Sequence, residues 1–164
     1  MTMPKEWKNT QSSPNKEKEK SNVKPEQTNS KISVEDKMNI QELITKYNLT
    51  IDNKSLDEWT NTWTDDGIWT TTFGEAKGKT ELKNMVNKIT NEFASGKRHL
   101  STNIIIEDAS TNNVANAKSY LTVIEAQKTP EVVASGTYSD ILKKDASGKW
   151  KFFQRKLDID LINE

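Results

Sequence analysis

The sequence predicts an α+β fold in which three helices are followed by a run of long antiparallel strands. Apolar residues recur every three to four positions up to Gly96 and every second position after it. Clusters of turn residues separate the alternating segments of the second half. A strongly curved, mostly antiparallel sheet wrapped against helices would form a cone with an interior pocket.

The first helix is predicted over residues Val34 to Ile51. Ser33 and Asp36 have the spacing of a capping box, in which a side-chain oxygen accepts a hydrogen bond from a free N–H group of the first turn. The apolar stripe of this helix consists of Ile40, Leu43, Ile44, Tyr47 and Ile51.

Two more helices and a short strand are predicted before Gly96. A short second helix runs from Ser55 to Trp63, and the Asp66-Gly67 turn leads into a β-rich segment from Ile68 to Phe73. A loop bounded by Gly74 and Gly78 comes next. The third helix carries the stripe Leu82, Met85, Val86, Ile89 and Phe93.

Four strands are predicted in the second half of the chain. They are His99 to Asp108, Val114 to Gln127, Val132 to Lys144 and Lys149 to Ile162. The separators are rich in Ser, Thr, Asn, Pro and Gly, which is typical of turns between adjacent strands.

A polar segment at residues 1–32 precedes the domain at residues 33–164. Large apolar residues are rare in it, and it holds three of the four prolines. Such a segment cannot bury enough surface to offset the entropy of ordering it, so we predict a disordered tail. Its mixed charge run, Lys16 to Lys20, is typical of solvation, and a binding arm is the alternative.

Composition excludes several classes of function. The 24 basic and 24 acidic residues give zero net charge, so no global field favours nucleic acid or an anionic membrane as a partner. The chain has no cysteine and one histidine, which leaves no thiolate nucleophile and no Cys- or His-rich metal site within it.

Membrane-spanning, secretory and cofactor-binding motifs are missing as well. No apolar stretch approaches the roughly 20 residues that span a bilayer, and the N-terminus lacks the apolar segment of a signal peptide. We therefore expect a cytoplasmic protein. No phosphate-binding glycine loop or dinucleotide motif is present, so we expect chemistry without a cofactor and without a metal.

His99 is the sole histidine and the first candidate for proton transfer near neutral pH. Strand alternation places His99, Ser101 and Asn103 on one face, which suits the lining of a pocket and equally a solvent-facing surface.

Asp52 is predicted at the C-terminus of the first helix, where the macrodipole disfavours an acid by roughly 0.3–1 kcal/mol. A hydrogen bond to an imidazole would compensate it and fix the tautomer of the ring. The alternative is that Asp52 belongs to an ordinary turn between helices.

Short motifs spread over residues 34–160 carry a family resemblance. They are Ile40-Gln41-Glu42-Leu43, Tyr47, Ile51-Asp52, Trp63-Thr64-Asp65-Asp66-Gly67-Ile68-Trp69, Gly78, Arg98-His99-Leu100-Ser101-Thr102-Asn103, Ala117-Lys118-Ser119-Tyr120, Gly136-Thr137-Tyr138-Ser139-Asp140 and Gly148-Lys149-Trp150-Lys151-Phe152-Phe153-Gln154-Arg155. In this order the chain resembles the SnoaL-like branch of the nuclear-transport-factor-2-like (NTF2-like) superfamily. The resemblance implies an α+β cone whose mouth holds a hydrophobic small molecule, in a homodimer or homotrimer.

Within that superfamily the chain is similar to the group of hexachlorocyclohexane dehydrochlorinase and scytalone dehydratase, which use an aspartate–histidine dyad. The resemblance assigns the dyad to Asp52 and His99. It also matches Arg155 to the arginine that assists departure of the leaving group in the dehydrochlorinase. An inward arginine beside Phe153 would bind an anion, and a surface position is the alternative.

Three more residues complete the expected substrate-binding set. Tyr47 lies one helical turn and a residue before Asp52, so it either presents its hydroxyl to the pocket or fills the core. Trp69 is expected to line the cavity or to pack in the core, as are the other tryptophans of the domain. Asn103 would stabilise an anion or a leaving group.

Two departures from the family limit the reaction. Tyr47 stands where the dehydrochlorinase has a lysine, and the second histidine of scytalone dehydratase is missing. Halide elimination therefore does not carry over. We expect a small cofactor-independent lyase or isomerase in which His99, oriented by Asp52, abstracts an acidic C–H proton of a hydrophobic substrate. The alternative is a non-catalytic ligand-binding or assembly subunit of the same fold.

Overall fold

Three helices cover one face of a six-stranded sheet in the computed structural model, which describes residues 31–162. The helices are α1 (Val34–Asp52), α2 (Leu56–Thr60) and α3 (Gly78–Glu92). The strands are β1 (Trp63–Thr71), β2 (Gly74–Lys77), β3 (Lys97–Asp108), β4 (Val114–Glu125), β5 (Val132–Lys144) and β6 (Trp150–Ile162). The predicted tail lies outside the described residues, apart from its last two positions.

The strand order in the sheet is β2-β1-β6-β5-β4-β3. Every neighbouring pair is antiparallel except β1 and β6, which run parallel. The α+β prediction with a mostly antiparallel sheet is therefore confirmed. The sheet does not close, because β2 and β3 are its two edges.

The sequence prediction is wrong at three places between Ser55 and Gly78, one of which is the predicted Asp66-Gly67 turn, because both residues lie inside β1. The second helix ends at Thr60 instead of Trp63, since Trp63 begins β1 and pairs with Phe152 of β6. The predicted loop from Gly74 to Gly78 is instead the strand β2, which forms a hairpin with β1, and α3 starts at Gly78. The pairing of Trp63 with β6 therefore outweighed the helical spacing of the tryptophans in the sequence.

The helix α1 begins and ends at well-defined caps. The Ser33 hydroxyl accepts a hydrogen bond from the Asp36 N–H at 3.0 Å, as the capping pattern predicts. At the other end Lys54 adopts a left-handed conformation with φ of 57°, and the Ser55 N–H donates to the Thr50 carbonyl at 2.8 Å. This sharp turn makes Asp52 the last residue of the helix, where α1 packs against β3.

Aromatic rings form the centre of the core between the helices and the sheet. The Tyr47 ring lies 5.3 Å from the centroids of both Trp59 and Phe152, and it contacts Trp63 and Trp69 at 6.1 and 6.4 Å. All five side chains are buried. Because such rings bury large apolar areas, the cluster fixes the C-terminal half of α1 over β1 and β6.

Five register shifts interrupt the pairing of the sheet within residues 31–162, and two of them lie near Asn103 and at Gly136. The register of β3 shifts between Thr102 and Ile105, where Asn103 has a φ of 53°. The register between β5 and β6 shifts at Gly136, whose position has no room for a side chain because a Cβ would lie 2.6 Å from the Asp158 carbonyl oxygen. Bulges of this kind bend a sheet and increase its twist.

Candidate functional site

Asp52 and His99 meet where the end of α1 lies over the start of β3. The His99 Nδ1 lies 2.7 Å from the Asp52 Oδ1. The His99 backbone N–H also donates to the same carboxylate, at 3.2 Å to Oδ2 and 3.3 Å to Oδ1. Both side chains are largely buried, with 4% of Asp52 and 10% of His99 exposed. The Asp52 carboxylate therefore binds both the ring and the backbone N–H of His99.

This contact determines which ring nitrogen is available for chemistry. A carboxylate is an acceptor, so the neutral imidazole carries its proton on Nδ1 and keeps the lone pair of Nε2 free. Within residues 31–162 no group forms a hydrogen bond with Nε2, and His99 lines a cavity. His99 is therefore a candidate base for a ligand in that cavity.

The cavity has a volume of about 160 Å³ and lies between α3 and the inner face of the sheet. Most of its wall is aliphatic or aromatic, and Trp69 forms part of it. A buried apolar cavity of roughly 150 Å³ is large enough for a benzene molecule. The space therefore suits an apolar ligand about the size of one ring.

An aromatic pair lies at the exposed rim of the cavity. The rings of Phe73 and Phe93 are stacked with centroids 5.1 Å apart, and each side chain is about half exposed. Phe73 belongs to the turn between β1 and β2, whereas Phe93 caps the C-terminus of α3.

A cation also reaches this cavity. Lys97 precedes His99 by two residues, so both side chains lie on the inner face of β3, and the Lys97 Nζ is 2.6 Å from Glu125 Oε2. The hydrogen bond from Lys97, with that from the Gln127 N–H, lowers the pKa of Glu125 from 4.5 to about 2. Sequence reasoning missed Lys97, although strand alternation from His99 would have found it.

Tyr138 is a second residue that sequence reasoning missed. It lies on the inner face of β5, is almost completely buried and lines the cavity with His99. Burial raises the pKa of its phenol above the ordinary value of 10. The signal in the sequence is the alternation of Gly136, Tyr138 and Asp140, which share one face of the strand.

Tyr47 is buried in the aromatic cluster and does not line the cavity. Its hydroxyl is buried and lacks a hydrogen-bonding partner within residues 31–162. Burial raises the pKa of Tyr47 well above its ordinary value. Of the two alternatives for Tyr47, the structure favours the core position.

Arg155 points inward, but its guanidinium is committed to another partner. Its Nε and Nη2 donate to the two carboxylate oxygens of Asp140, both at 2.8 Å, and both side chains are completely buried. Burial works against the charged form, but the charge and hydrogen bonds of Asp140 raise the pKa of Arg155. Arg155 does not line the His99 cavity.

The prediction that Asn103 shares a face with His99 is wrong. The left-handed conformation of Asn103 adds one residue to the strand, so Ile104 instead of Asn103 continues the inward row, and Asn103 is exposed. Ser101 keeps its inward position and accepts a hydrogen bond from Asn48 Nδ2 at 2.9 Å.

Two further observations concern residues 31–162. No cluster of three or more His, Asp or Glu side chains in this part of the chain is placed to hold a metal ion. Likewise, none of its helices is long and apolar enough to cross a membrane.

Comparison with known proteins places the chain in a family. The SnoaL-like domain model matches residues 33–156. A protein of unknown function with a cystatin-like fold from Nostoc punctiforme is 30% identical, with a TM-score of 0.75 over 80% of this chain and 96% of that one.

Two other solved structures are similar at lower identity. A function-unknown protein from Mycobacterium tuberculosis is 27% identical, with a TM-score of 0.67 over 76% of this chain and 72% of that chain. A scytalone dehydratase-like protein from Novosphingobium aromaticivorans is 22% identical, with a TM-score of 0.68 over 79% and 87%. No curated protein matches. The chain therefore belongs to the SnoaL-like domain family and has its NTF2-like fold.

Proposed function

We propose that this protein is a cofactor-independent lyase or isomerase in which His99 removes a proton from a carbon atom of an apolar, ring-sized ligand. The observation that carries the proposal is the 2.7 Å contact between Asp52 and His99 at the wall of an apolar cavity. The solved structures of similar fold include the scytalone dehydratase-like protein, whose identity of 22% supports the fold alone.

The geometry suits general base catalysis. Asp52 accepts from Nδ1, so Nε2 takes the substrate proton and the resulting imidazolium is stabilised by the adjacent carboxylate. The pair is largely removed from water, which strengthens that interaction. A positioned base of this kind contributes roughly 10²–10⁴-fold to the rate.

The base requires a substrate with an acidic C–H bond, which means a carbon next to a carbonyl group. When Nε2 takes the proton, the electron pair of the C–H bond moves into the carbon–carbon bond and the carbonyl oxygen becomes negatively charged. The imidazolium can return the proton to a different carbon, which isomerises the substrate. It can instead protonate a departing β-hydroxyl, which releases water and leaves a conjugated enone.

Three single-ring ketones test the proposal: cyclohexanone, acetophenone and 3-hydroxycyclohexanone. In D₂O the protein should accelerate exchange of the protons next to the carbonyl, followed by NMR, and convert 3-hydroxycyclohexanone to the ultraviolet-absorbing enone. His99→Gln should lose both activities. Asp52→Asn should lower them at least 100-fold, because loss of the aspartate that orients the catalytic histidine has a large effect in Ser-His-Asp triads. Asp65→Asn, which alters a carboxylate that is 94% exposed, is the matched control and should leave them unchanged.

No exchange above buffer with any of the three ketones would contradict the proposal, as would equal exchange by the wild type and His99→Gln. Ketone binding without exchange, detected by shifts in the NMR signals of the protein, would favour the non-catalytic ligand-binding alternative.

A further inference from the structure

We propose that Lys97 binds a carboxylate group of the substrate at the mouth of the cavity, so that single-ring keto acids are preferred to neutral ketones. The inference rests on the proposed function and names the class of its substrate. Among residues 31–162, Lys97 is the only lysine or arginine on the wall of this cavity, which is otherwise mostly apolar.

The turn between α3 and β3 places Lys97 at the rim of the cavity. Its backbone N–H donates to the Ala94 carbonyl at 3.2 Å. Gly96 adopts a φ of 74°, and a Cβ at this position would lie 2.8 Å from the Gln127 Oε1. The turn therefore favours glycine, which adopts positive φ without steric cost. It holds Lys97 at the same end of the cavity as the rim residue Phe93.

Glu125 fixes the Lys97 ammonium and leaves part of it free. The two residues are directly opposite in β3 and β4, and the Lys97 Nζ lies 2.6 Å from the Glu125 Oε2. The Oε1 atom of Glu125 accepts from the Gln127 N–H at 2.9 Å. An ammonium group has three N–H donors, and within residues 31–162 Glu125 is the only acceptor for them. Two donors therefore remain for a ligand or for water.

The surroundings of this ammonium favour a charged partner. The Lys97 side chain is 22% exposed, and most of the cavity wall is aliphatic or aromatic. Glu125 does not line the cavity, so a ligand meets the ammonium instead of the Glu125 carboxylate. Hydrogen bonds between charged groups are stronger than neutral ones, and a low local dielectric strengthens them further. A carboxylate therefore gains more from this position than an amide or a methyl group does.

The spacing of Lys97 and His99 defines the shape of the substrate. The two residues are two positions apart on one face of β3, a separation of roughly 7 Å along the strand. A six-membered ring can span this separation, with its carboxylate at Lys97 and the carbon next to its ketone at His99. In 4-oxocyclohexanecarboxylate the ketone and the carboxylate lie on opposite carbons of one ring. The ring itself suits the cavity volume of about 160 Å³.

The test compares 4-oxocyclohexanecarboxylate with 4-oxocyclohexanecarboxamide, which has the same ring and ketone but no charge. Affinities are measured at neutral pH from the NMR shifts of the protein on titration. The wild type should bind the carboxylate about tenfold more tightly than the carboxamide, which is the factor expected of one hydrogen bond to a charged group. Exchange of the protons next to the ketone in D₂O should show the same preference at low ligand concentration.

Substitutions assign this preference to Lys97. Lys97→Met should bind the two compounds equally, and Lys97→Arg should keep the preference for the carboxylate. Lys83→Met is the matched control, because Lys83 also pairs with an acid, Asp57, but is 46% exposed and does not line the cavity. It should behave as the wild type does.

Loss of the Lys97 charge leaves Glu125 without its partner, so the double variant Lys97→Met/Glu125→Gln is measured as well. It removes both charges and should also bind the two compounds equally. Thermal melts of all variants show whether the fold is retained.

The outcomes separate the carboxylate site from the proposed function. Equal affinity of the wild type for the two compounds, no binding of either, or a carboxylate preference that persists in Lys97→Met and in the double variant would refute the role of Lys97. If exchange is then still lost in His99→Gln, the proposed function stands. If the wild type prefers the carboxylate through Lys97 but exchanges no protons of either compound, the carboxylate site is retained and the proposed reaction is refuted.

Discussion

Asp52 contacts His99 twice, through the ring nitrogen and through the backbone N–H. Without the ring contact the imidazole could rotate about its side-chain torsion angles, and without the backbone contact β3 could shift relative to α1. Because a single carboxylate accepts both, the position of the ring is fixed relative to β3. This is the local feature on which the proposed base depends.

Glu125 makes the stability of the neighbouring ion pair dependent on pH. Its pKa of about 2 in the folded protein lies below its ordinary 4.5, because Lys97 and the Gln127 N–H stabilise the charged form. A lowered pKa contributes stability that is fully present above pH 4.5 and is lost as the pH falls towards 2. We expect the urea midpoint of the wild type to fall more steeply over this range than that of Glu125→Gln.

Tryptophan fluorescence in urea at several pH values measures this difference. Glu107→Gln, at an exposed position of β3, is the control and should keep the wild-type pH dependence. An identical acid dependence in Glu125→Gln would show that the Lys97–Glu125 contact does not stabilise the folded state.

Single residues of the site differ in how far the sequence predicts them. The Asp52–His99 pair was predicted from the family resemblance, and an acid at a helix C-terminus, where a partner would compensate it, agreed with that assignment. For Tyr138, alternation indicates only which face of β5 it lies on, because its place beside His99 follows from pairing across β3, β4 and β5. Such pairing between distant segments leaves no local signal in the sequence.

At the scale of elements, the end of α1 positions Asp52. The turn relies on Lys54 in the left-handed region, which is costly for any residue with a side chain. Lys54→Gly should therefore raise the free energy of unfolding by about 0.5–1 kcal/mol, because glycine adopts this conformation without steric cost.

Urea unfolding measures the effect, and Lys46→Gly on the exposed face of α1 is the matched control. Glycine in the interior of a helix should lower the free energy of unfolding by about 1 kcal/mol. A loss of stability in Lys54→Gly as large as that in Lys46→Gly would contradict the cap described for α1.

The periodicity of the sequence predicts the helices and strands better than their irregularities. The apolar stripes located α1 and α3, since 3.6-residue spacing reports burial directly. The bulge at Asn103 broke the alternation of β3, and nothing in the residue itself required it. The bulge sends Asn103 outward and leaves His99 and Ser101 as the inward polar residues of this stretch.

At the scale of the whole molecule, the inner face of the sheet combines an apolar core with one buried ion pair. Asp140 and Arg155 are directly opposite in β5 and β6, and the rings of Tyr47, Tyr138 and Phe152 surround the guanidinium within 4.2 Å. Arg155→Met should destabilise the protein by about 3–5 kcal/mol, because it leaves Asp140 buried and uncompensated.

The double variant with Asp140→Leu should recover part of that loss, since no charge is then left in the core. Lys156→Met, which removes an exposed partner of Asp158, should change stability by less than about 0.5 kcal/mol. Chemical denaturation of the four proteins measures the coupling. Equal losses in the single and double variants would show that the uncompensated charge of Asp140 is not the cause of the destabilisation.

The overall architecture follows from patterns that extend along the chain, whereas the cavity depends on how the sheet curves. The order of helices and strands and the family motifs predicted the fold, which the family match confirms. The volume and lining of the cavity depend on register shifts such as the one at Gly136, which only the assembled sheet shows.

The tautomer of His99 tests the central claim most directly. In Asp52→Asn, the side-chain oxygen should accept from the His99 backbone N–H, so the amide NH₂ would face Nδ1 and donate to it. The ¹⁵N NMR shifts of the imidazole should then show the neutral ring protonated on Nδ1 in the wild type and on Nε2 in Asp52→Asn. The same tautomer in both proteins would contradict the assignment of Asp52 as the residue that orients the base.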